Sequence, residues 1–233
     1  LVMTFDFIDL TNQLERVSNR RLAFRPATLS DAWPLYEATK NPLFNRHLMW
    51  PQPTEETEVL QRMDAITSAA RLGRLAALSV VVKSTGEWVS LFRFQPHATN
   101  EKLVELGIWT HDRFWHGRYS LELTRICIDA AFECSDFSTL VGAAAVQNKS
   151  SCHLMTAVGM RPTSLVTRIT ETGAEVELQE FEVTRHEWAS RVKRGQSFES
   201  FPKNDPVPEP AAKLPRIPAT VTSERLTLQP EMA

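Results

Sequence analysis

The chain has 233 residues, 42% of them hydrophobic and 23% charged, with a formal net charge of −2. That is ample for one core, over a length that suits one domain or one and a fraction. The balanced charge gives no overall field for nucleic acid or an anionic membrane, so neither is expected as a partner. Cys127, Cys134 and Cys152 close no even framework and show no Cys-x-x-Cys spacing. A disulfide scaffold and a metal site are therefore not expected, and a reducing, cytoplasmic setting fits best. No basic segment followed by an apolar run is visible, and no apolar run approaches the ~20 residues of a membrane span.

Residues 10–17 form an amphipathic lead-in. Arg-Leu-Ala-Phe-Arg-Pro at 21–26 alternates in polarity and predicts a short strand stopped by Pro26. Residues 29–40 predict a helix with Ser30 as its cap. The stretch 41–53 holds Pro42, Pro51 and Pro53, with Phe44, His47, Met49 and Trp50 between them. It reads as a loop whose apolar side chains either tuck into the core or wall a substrate. Glu55, Glu56 and Glu58 open a helix where its dipole favours them, and Gly73 closes it. Strands at 75–83 and 88–95 flank a Ser-Thr-Gly-Glu turn and form a hairpin. Residues 103–110 are a third strand.

That strand leads into the most informative stretch, 109–133. A short basic turn with Arg113, His116, Gly117 and Arg118 precedes a helix in which Leu123, Ile126, Cys127, Ala130 and Ala131 recur at helical spacing. A helix start with free N–H groups attracts an anion, phosphate above all. An apolar strand at 139–146 follows, and strand–helix–strand of this size implies a parallel pair. A helix at 148–158, a hairpin of 165–170 with 175–184, and a short helix at 186–194 complete a domain over 1–196. Residues 197–220 are Pro-rich and read as a linker. In the tail, 221–233, Arg-Leu-Thr-Leu-Gln-Pro at 225–230 repeats the pattern of 21–26. It reads as the start of a second, truncated copy, or as a strand that pairs with a sheet edge in this molecule or a homodimer partner.

The element order and four local motifs resemble the GNAT acetyltransferases, specifically their RimJ/RimL-like branch, over about 20–194. That branch usually carries Trp-Gly-Lys-Gly-Tyr-Ala-Thr-Glu-Ala; here 115–123 reads Trp-His-Gly-Arg-Tyr-Ser-Leu-Glu-Leu. Glu-Leu-Gly-Ile-Trp at 105–109 looks like the family's fourth strand. The segment from Asn148 to Gly159 looks like its Asn-x-x-Ser…Gly motif, and Arg-His-Glu-Trp at 185–188 like its closing segment. One position departs. Arg118 stands where the second motif glycine faces the pyrophosphate.

The resemblance implies an α/β (α+β) fold, with a mixed, mostly antiparallel sheet, a splayed parallel pair and flanking helices. It implies acetyl-CoA as co-substrate and direct attack by a primary amine, on a peptide or a small molecule such as a polyamine or aminoglycoside. Backbone groups of Gly117, Arg118, Tyr119 and Ser120 would hold the pyrophosphate, with charge from Arg113 and Arg118. Ile108, Trp109 and Thr110 on the splayed strand would bond the pantetheine arm, with Asn148 supporting it. Glu105 is the candidate base and Ser151 the candidate proton donor. Phe44, His47 and Trp50 are the candidate acceptor wall.

Overall fold

The computed structural model describes residues 5–17, 21–115 and 119–192. The expected linker and tail, and His116, Gly117 and Arg118 of the basic turn, lie outside the described residues.

Seven strands form one sheet: β1 (Leu22–Pro26), β2 (Ala76–Val82), β3 (Trp88–His97), β4 (Asn100–Thr110), β5 (Thr139–Ala145), β6 (Arg161–Ile169) and β7 (Glu175–Thr184). Their spatial order is β1-β2-β3-β4-β5-β7-β6. Every neighbouring pair is antiparallel except β4–β5. The helices are α1 (Phe7–Arg16), α2 (Ala32–Thr39), α3 (Pro42–Asn45), α4 (Glu56–Arg71), α5 (Tyr119–Cys134), α6 (Lys149–Ala157) and α7 (Arg185–Val192). Among the described residues no helix is long and apolar enough to cross a membrane.

The parallel pair opens the sheet. β4 pairs with β5 only at Val104 with Leu140 and Glu105 with Val141. β4 stays on β3 as far as Thr110, opposite Ser90, and β5 stays on β7 as far as Ala145, opposite Leu178. The two central strands are thus held by their outer neighbours and not by each other. They part after Glu105, which stands at the vertex of the opening.

Two cores fix this sheet. On one face Phe92, Phe94, Val104, Leu106 and Leu140 pack with Leu10 and Leu14 of α1 and with Leu123, Cys127 and Ala131 of α5. α6 and α7 join this face through Met155, Val158 and Trp188. On the other face Ala77 and Leu91 pack with Leu35 of α2 and with Val59, Met63 and Ile66 of α4.

Local chemistry moves several expected boundaries. Ser30 does not cap a helix. Asp31 is buried, holds the Thr28 N–H at 2.8 Å, and is itself gripped by Arg25 and the Ser79 hydroxyl. That fixes a 3-10 turn over Leu29–Asp31 before α2 begins. The 41–53 stretch is not wholly loop, because Asn41 accepts the Leu43 N–H at 2.9 Å and starts the single turn α3. β6 begins at Arg161, ahead of the expected 165, since Pro162 still pairs with Phe181 across a bulge. α7 starts on a reciprocal cap: Glu187 accepts the Thr184 N–H at 2.8 Å, and the Thr184 hydroxyl accepts the Glu187 N–H at 3.2 Å.

Candidate active site

The opening has a backbone wall, a helix start and a polar floor. On β4 the His111 N–H donates to the Val89 carbonyl of β3. Backbone groups alternate sides along a strand, so Ile108 and Thr110 turn theirs toward the opening. Trp109 does not. Its carbonyl accepts the Ser90 hydroxyl at 2.9 Å, on the β3 side. Of the three residues expected to bond the pantetheine arm, Ile108 and Thr110 turn their backbone groups to the opening and Trp109 turns its own to β3. The Thr110 carbonyl already accepts the Trp115 indole N–H at 2.9 Å, which ties the strand end to the start of the basic turn.

The helix start is anchored from both sides. Tyr119 is buried, with its ring edge-on to Phe114 at 5.3 Å and beneath the Arg21 guanidinium at 4.6 Å. Arg21 also pairs with buried Glu122 in the first turn of α5. These contacts aim the first N–H groups of α5, Tyr119 and Ser120 among them, along the helix axis. Arg113 does not stand over that start as a spare cation. Its guanidinium donates to Glu87 in the β2–β3 turn. The charge expected of Gly117 and Arg118's turn therefore cannot be credited to Arg113 alone.

The floor lies on the α4 face of the sheet. Glu105 Oε1 accepts the Arg168 guanidinium at 3.0 Å, while Oε2 is buried with no hydrogen-bond partner. The other end of Arg168 reaches Glu180 at 3.3 Å, and His97 Nε2 also meets Glu180 at 3.3 Å. Burial pushes the Glu180 carboxyl up, but bonds from Ser164, His97 and Arg168 hold it below its usual range overall. Beside Glu105, Arg93 lies over Gly107 and stacks on Trp109, its guanidinium 5.1 Å from the ring centre. Burial lowers the Arg93 pKa, opposed by Glu105 and reinforced by Arg62. A guanidinium remains charged all the same.

The expected acceptor wall is largely spent on packing. Phe44 and Trp50 are both buried in the second core. Their apolar surface faces α2 and α4 because the prolines fold the segment back over those helices. His47 is half-buried, and burial with Arg46 nearby lowers its pKa. A different wall closes this side. Arg62 of α4 stacks on Trp50 at 4.4 Å and grips Glu171 of the β6–β7 turn with two bonds, at 2.9 and 2.6 Å. The Glu171 N–H also donates to the Met49 carbonyl at 3.0 Å.

On the far side, Asn148 caps α6 by accepting the Ser151 N–H at 3.1 Å. That bond engages the Asn148 side-chain oxygen, the capping role that also fits this residue. It leaves the Ser151 hydroxyl without a hydrogen-bond partner among the described residues. Cys152 donates weakly to the Ala145 carbonyl, and burial raises its pKa, so its thiol stays protonated.

Arg93 and Arg168 escaped the sequence reading, although Arg93 interrupts the apolar run Leu91–Phe94. An arginine inside a central strand is a signal that a partner waits on that face.

A mixed sheet whose one parallel pair opens beside a helix start leaves strand-edge groups next to free helix N–H groups, a place for an extended, anionic ligand. The chain belongs to the GNAT acetyltransferase family: the model for the acetyltransferase (GNAT) domain matches residues 21–161. It is an acyltransferase. No curated protein sequence matches the chain. Solved structures share its fold. A GCN5-related N-acetyltransferase from Brucella melitensis superposes with a TM-score of 0.64 at 14% identity, over 77% of this chain and 82% of that one. The microcin C7 self-immunity acetyltransferase MccE, in complex with acetyl-CoA and AMP, gives 0.63 at 14%, over 74% and 99%. Mycobacterium smegmatis RimJ, in complex with CoA-disulfide, gives 0.61 at 17%, over 75% and 89%.

Proposed function

We propose that this protein moves the acetyl group of acetyl-CoA to the α-amine of a peptide or protein N-terminus, as a RimJ/RimL-like enzyme of the cytoplasm. The carrying observation is the carboxylate of Glu105 at the vertex of the splayed strands, with one buried oxygen unpartnered. A base there meets an amine that enters from the α4 face while the thioester lies in the opening.

The amine must arrive neutral. Deprotonating a lysine amine at pH 7 costs about 4–5 kcal/mol, an α-amine only about 1–1.4 kcal/mol. One carboxylate suits the second task better. Acetyl-CoA supplies the activated acyl carbon and a thiolate leaving group. Ile108 and Thr110 orient the donor through backbone groups, and the α5 start takes its phosphates with the 117–120 turn. Glu105 receives the amine proton, directly or through water. The Ser151 hydroxyl donates to the departing sulfur and takes a proton from water as it does so, so that the thiol leaves neutral. In domain terms, 1–196 is the catalytic unit, 197–220 a linker, and 221–233 a strand-like tail available for pairing in a dimer.

The test is a turnover screen by thiol release, with peptides bearing free α-amines against N-blocked lysine peptides, polyamines and aminoglycosides. Turnover of free N-termini alone supports the reading. Turnover confined to polyamines or aminoglycosides would replace it with a small-amine acetyltransferase.

A further inference from the structure

Three arginines meet on the α4 face around the vertex, and two are accounted for. Arg62 is held by both oxygens of Glu171. Arg168 is shared between Glu105 and Glu180. Arg93 is the third. It has no hydrogen bond to any described residue, and its Nε is buried without a partner. Around it stand the Trp109 ring, Gly107 across the strand pair, the opposite charge of Glu105 and the like charge of Arg62.

That is an uncommon way to place an arginine. The residue is half-buried, and of its nitrogens only Nε is closed off without a partner, which leaves the terminal nitrogens facing the patch. Stacking on an indole contributes attraction but satisfies none of the five N–H groups. Glu105 is near enough to act on Arg93 electrostatically, yet its bonded oxygen is given to Arg168. The same patch therefore contains one unsatisfied donor group, on Arg93, and one unsatisfied acceptor, Glu105 Oε2. They sit on one face. Glu105, Gly107 and Trp109 alternate along β4, and Arg93 pairs with Gly107 in register. A side chain at 107 would make ordinary van der Waals contact with Arg93 Nε, near 3.9 Å, so Arg93 lies against this position.

We propose that Arg93 is a specificity-determining residue that receives a carboxylate of the acceptor while Glu105 receives its amine. The acceptor is then an amine with an acidic group close by. A planar guanidinium with its fork free matches a carboxylate in a bidentate pair. This rests on the N-terminal reading above. There it means an acidic side chain at the first or second residue of the peptide.

The experiment is a kcat/KM comparison on peptides that differ only by Glu or Gln at positions one and two, with wild type, Arg93→Gln and Arg93→Lys. The expected result is at least a tenfold preference of wild type for Glu. Arg93→Gln shrinks it to within twofold, with the larger loss on the acidic peptides, and Arg93→Lys keeps part of it. Equal turnover of Glu and Gln peptides by wild type overturns the proposal while leaving N-terminal acetylation intact. That arm needs no variant, so a poorly folded Arg93→Gln does not blunt it. If wild type turns over no peptide, free amino acids are compared with their decarboxylated amines. Preference for the amino acids supports Arg93 and sinks the peptide reading. Turnover of the decarboxylated amines, or of no amine at all, sinks both.

Discussion

Arg168 reaches Glu105 across two intervening strands, with Nη1 3.0 Å from Oε1. The strand beside Glu105 offers little obstacle: by register, β5 shows Thr139, Val141, Ala143 and Ala145 on this face, none of them long. The contact turns one carboxylate oxygen to the edge of the patch and leaves the other at the vertex. Replacing Glu105 by Gln removes the base and keeps the shape. We expect kcat to fall by about 10²–10⁴, with CoA affinity within about twofold. Arg168→Met should lower kcat less, by freeing the carboxylate's orientation. Since the two residues act together, the double variant should be no worse than Glu105→Gln. Additive losses in kcat would show that they act separately.

Ser151 and Asn148 are adjacent in space but differ in what they do. Asn148 spends its side chain on the Ser151 N–H. Ser151 spends its hydroxyl on nothing described. Asn148→Ala should therefore cost about 1 kcal/mol of stability as a lost cap. Ser151→Ala should leave urea unfolding unchanged within about 0.5 kcal/mol while lowering kcat. A Ser151→Ala enzyme with full kcat would remove that residue from the proton path.

Periodicity made much of the fold legible, through the alternating strand at 21–26, the apolar strands at 75–83 and 139–146, and the apolar face of the helix at 119–133. The vertex was legible only in outline. Glu105 stands out as a carboxylate between Val104 and Leu106. That Arg168 would hold it depends on β6 folding back beside β7, and nothing local to residue 168 announces that. The same limit left Phe44 and Trp50 open between core and substrate wall. An aromatic loop looks alike whether it faces substrate or core, and the decision rests on α2 and α4 lying beneath it. Arg113 was drawn to Glu87, a pairing made by the β2–β3 turn 26 residues earlier. Sequence reasoning sees charge; topology decides what the charge meets.

Gly159 and Gly173 share a left-handed backbone, with φ of 85° and 82°. Their surroundings differ. A side chain at 173 meets nothing within 4 Å, whereas one at 159 would fall on the Arg191 guanidinium, 1.4 Å from Nη1. Arg191 is there because it binds the Val158 and Gly159 carbonyls at the end of α6. Gly173→Ala should cost about 1–2 kcal/mol from backbone strain alone. Gly159→Ala should cost more, by roughly 1–3 kcal/mol, because it also strips those carbonyls of their donor. Chemical denaturation of both variants reads the difference directly. Equal costs would mean that Arg191 swings aside freely and does not hold α7 to α6.

Asp129 gives the domain a pH dependence of unusual sign. Burial against α7 pushes its carboxyl above the ordinary range, helped by Glu133. The Trp188 indole, donating at 2.7 Å, opposes this together with Arg125 and Arg191. Between the ordinary carboxylate pKa and the raised folded value, the folded state holds the proton more tightly than the unfolded chain. Stability from this group is thus full at acid pH, declines as pH rises through that window, and is lost above the folded pKa. Glu187 and Glu180, whose carboxyls are lowered, work in the opposite direction. The net curve of the wild type conceals the effect, and the difference from Asp129→Asn exposes it. Asparagine keeps an oxygen for the Trp188 N–H and carries no charge to bury. Its stability relative to wild type should therefore improve from pH 4 to pH 7 in urea denaturation series. A difference that stays flat, or that shrinks toward pH 7, would mean that Arg125 and Arg191 compensate the buried charge in full.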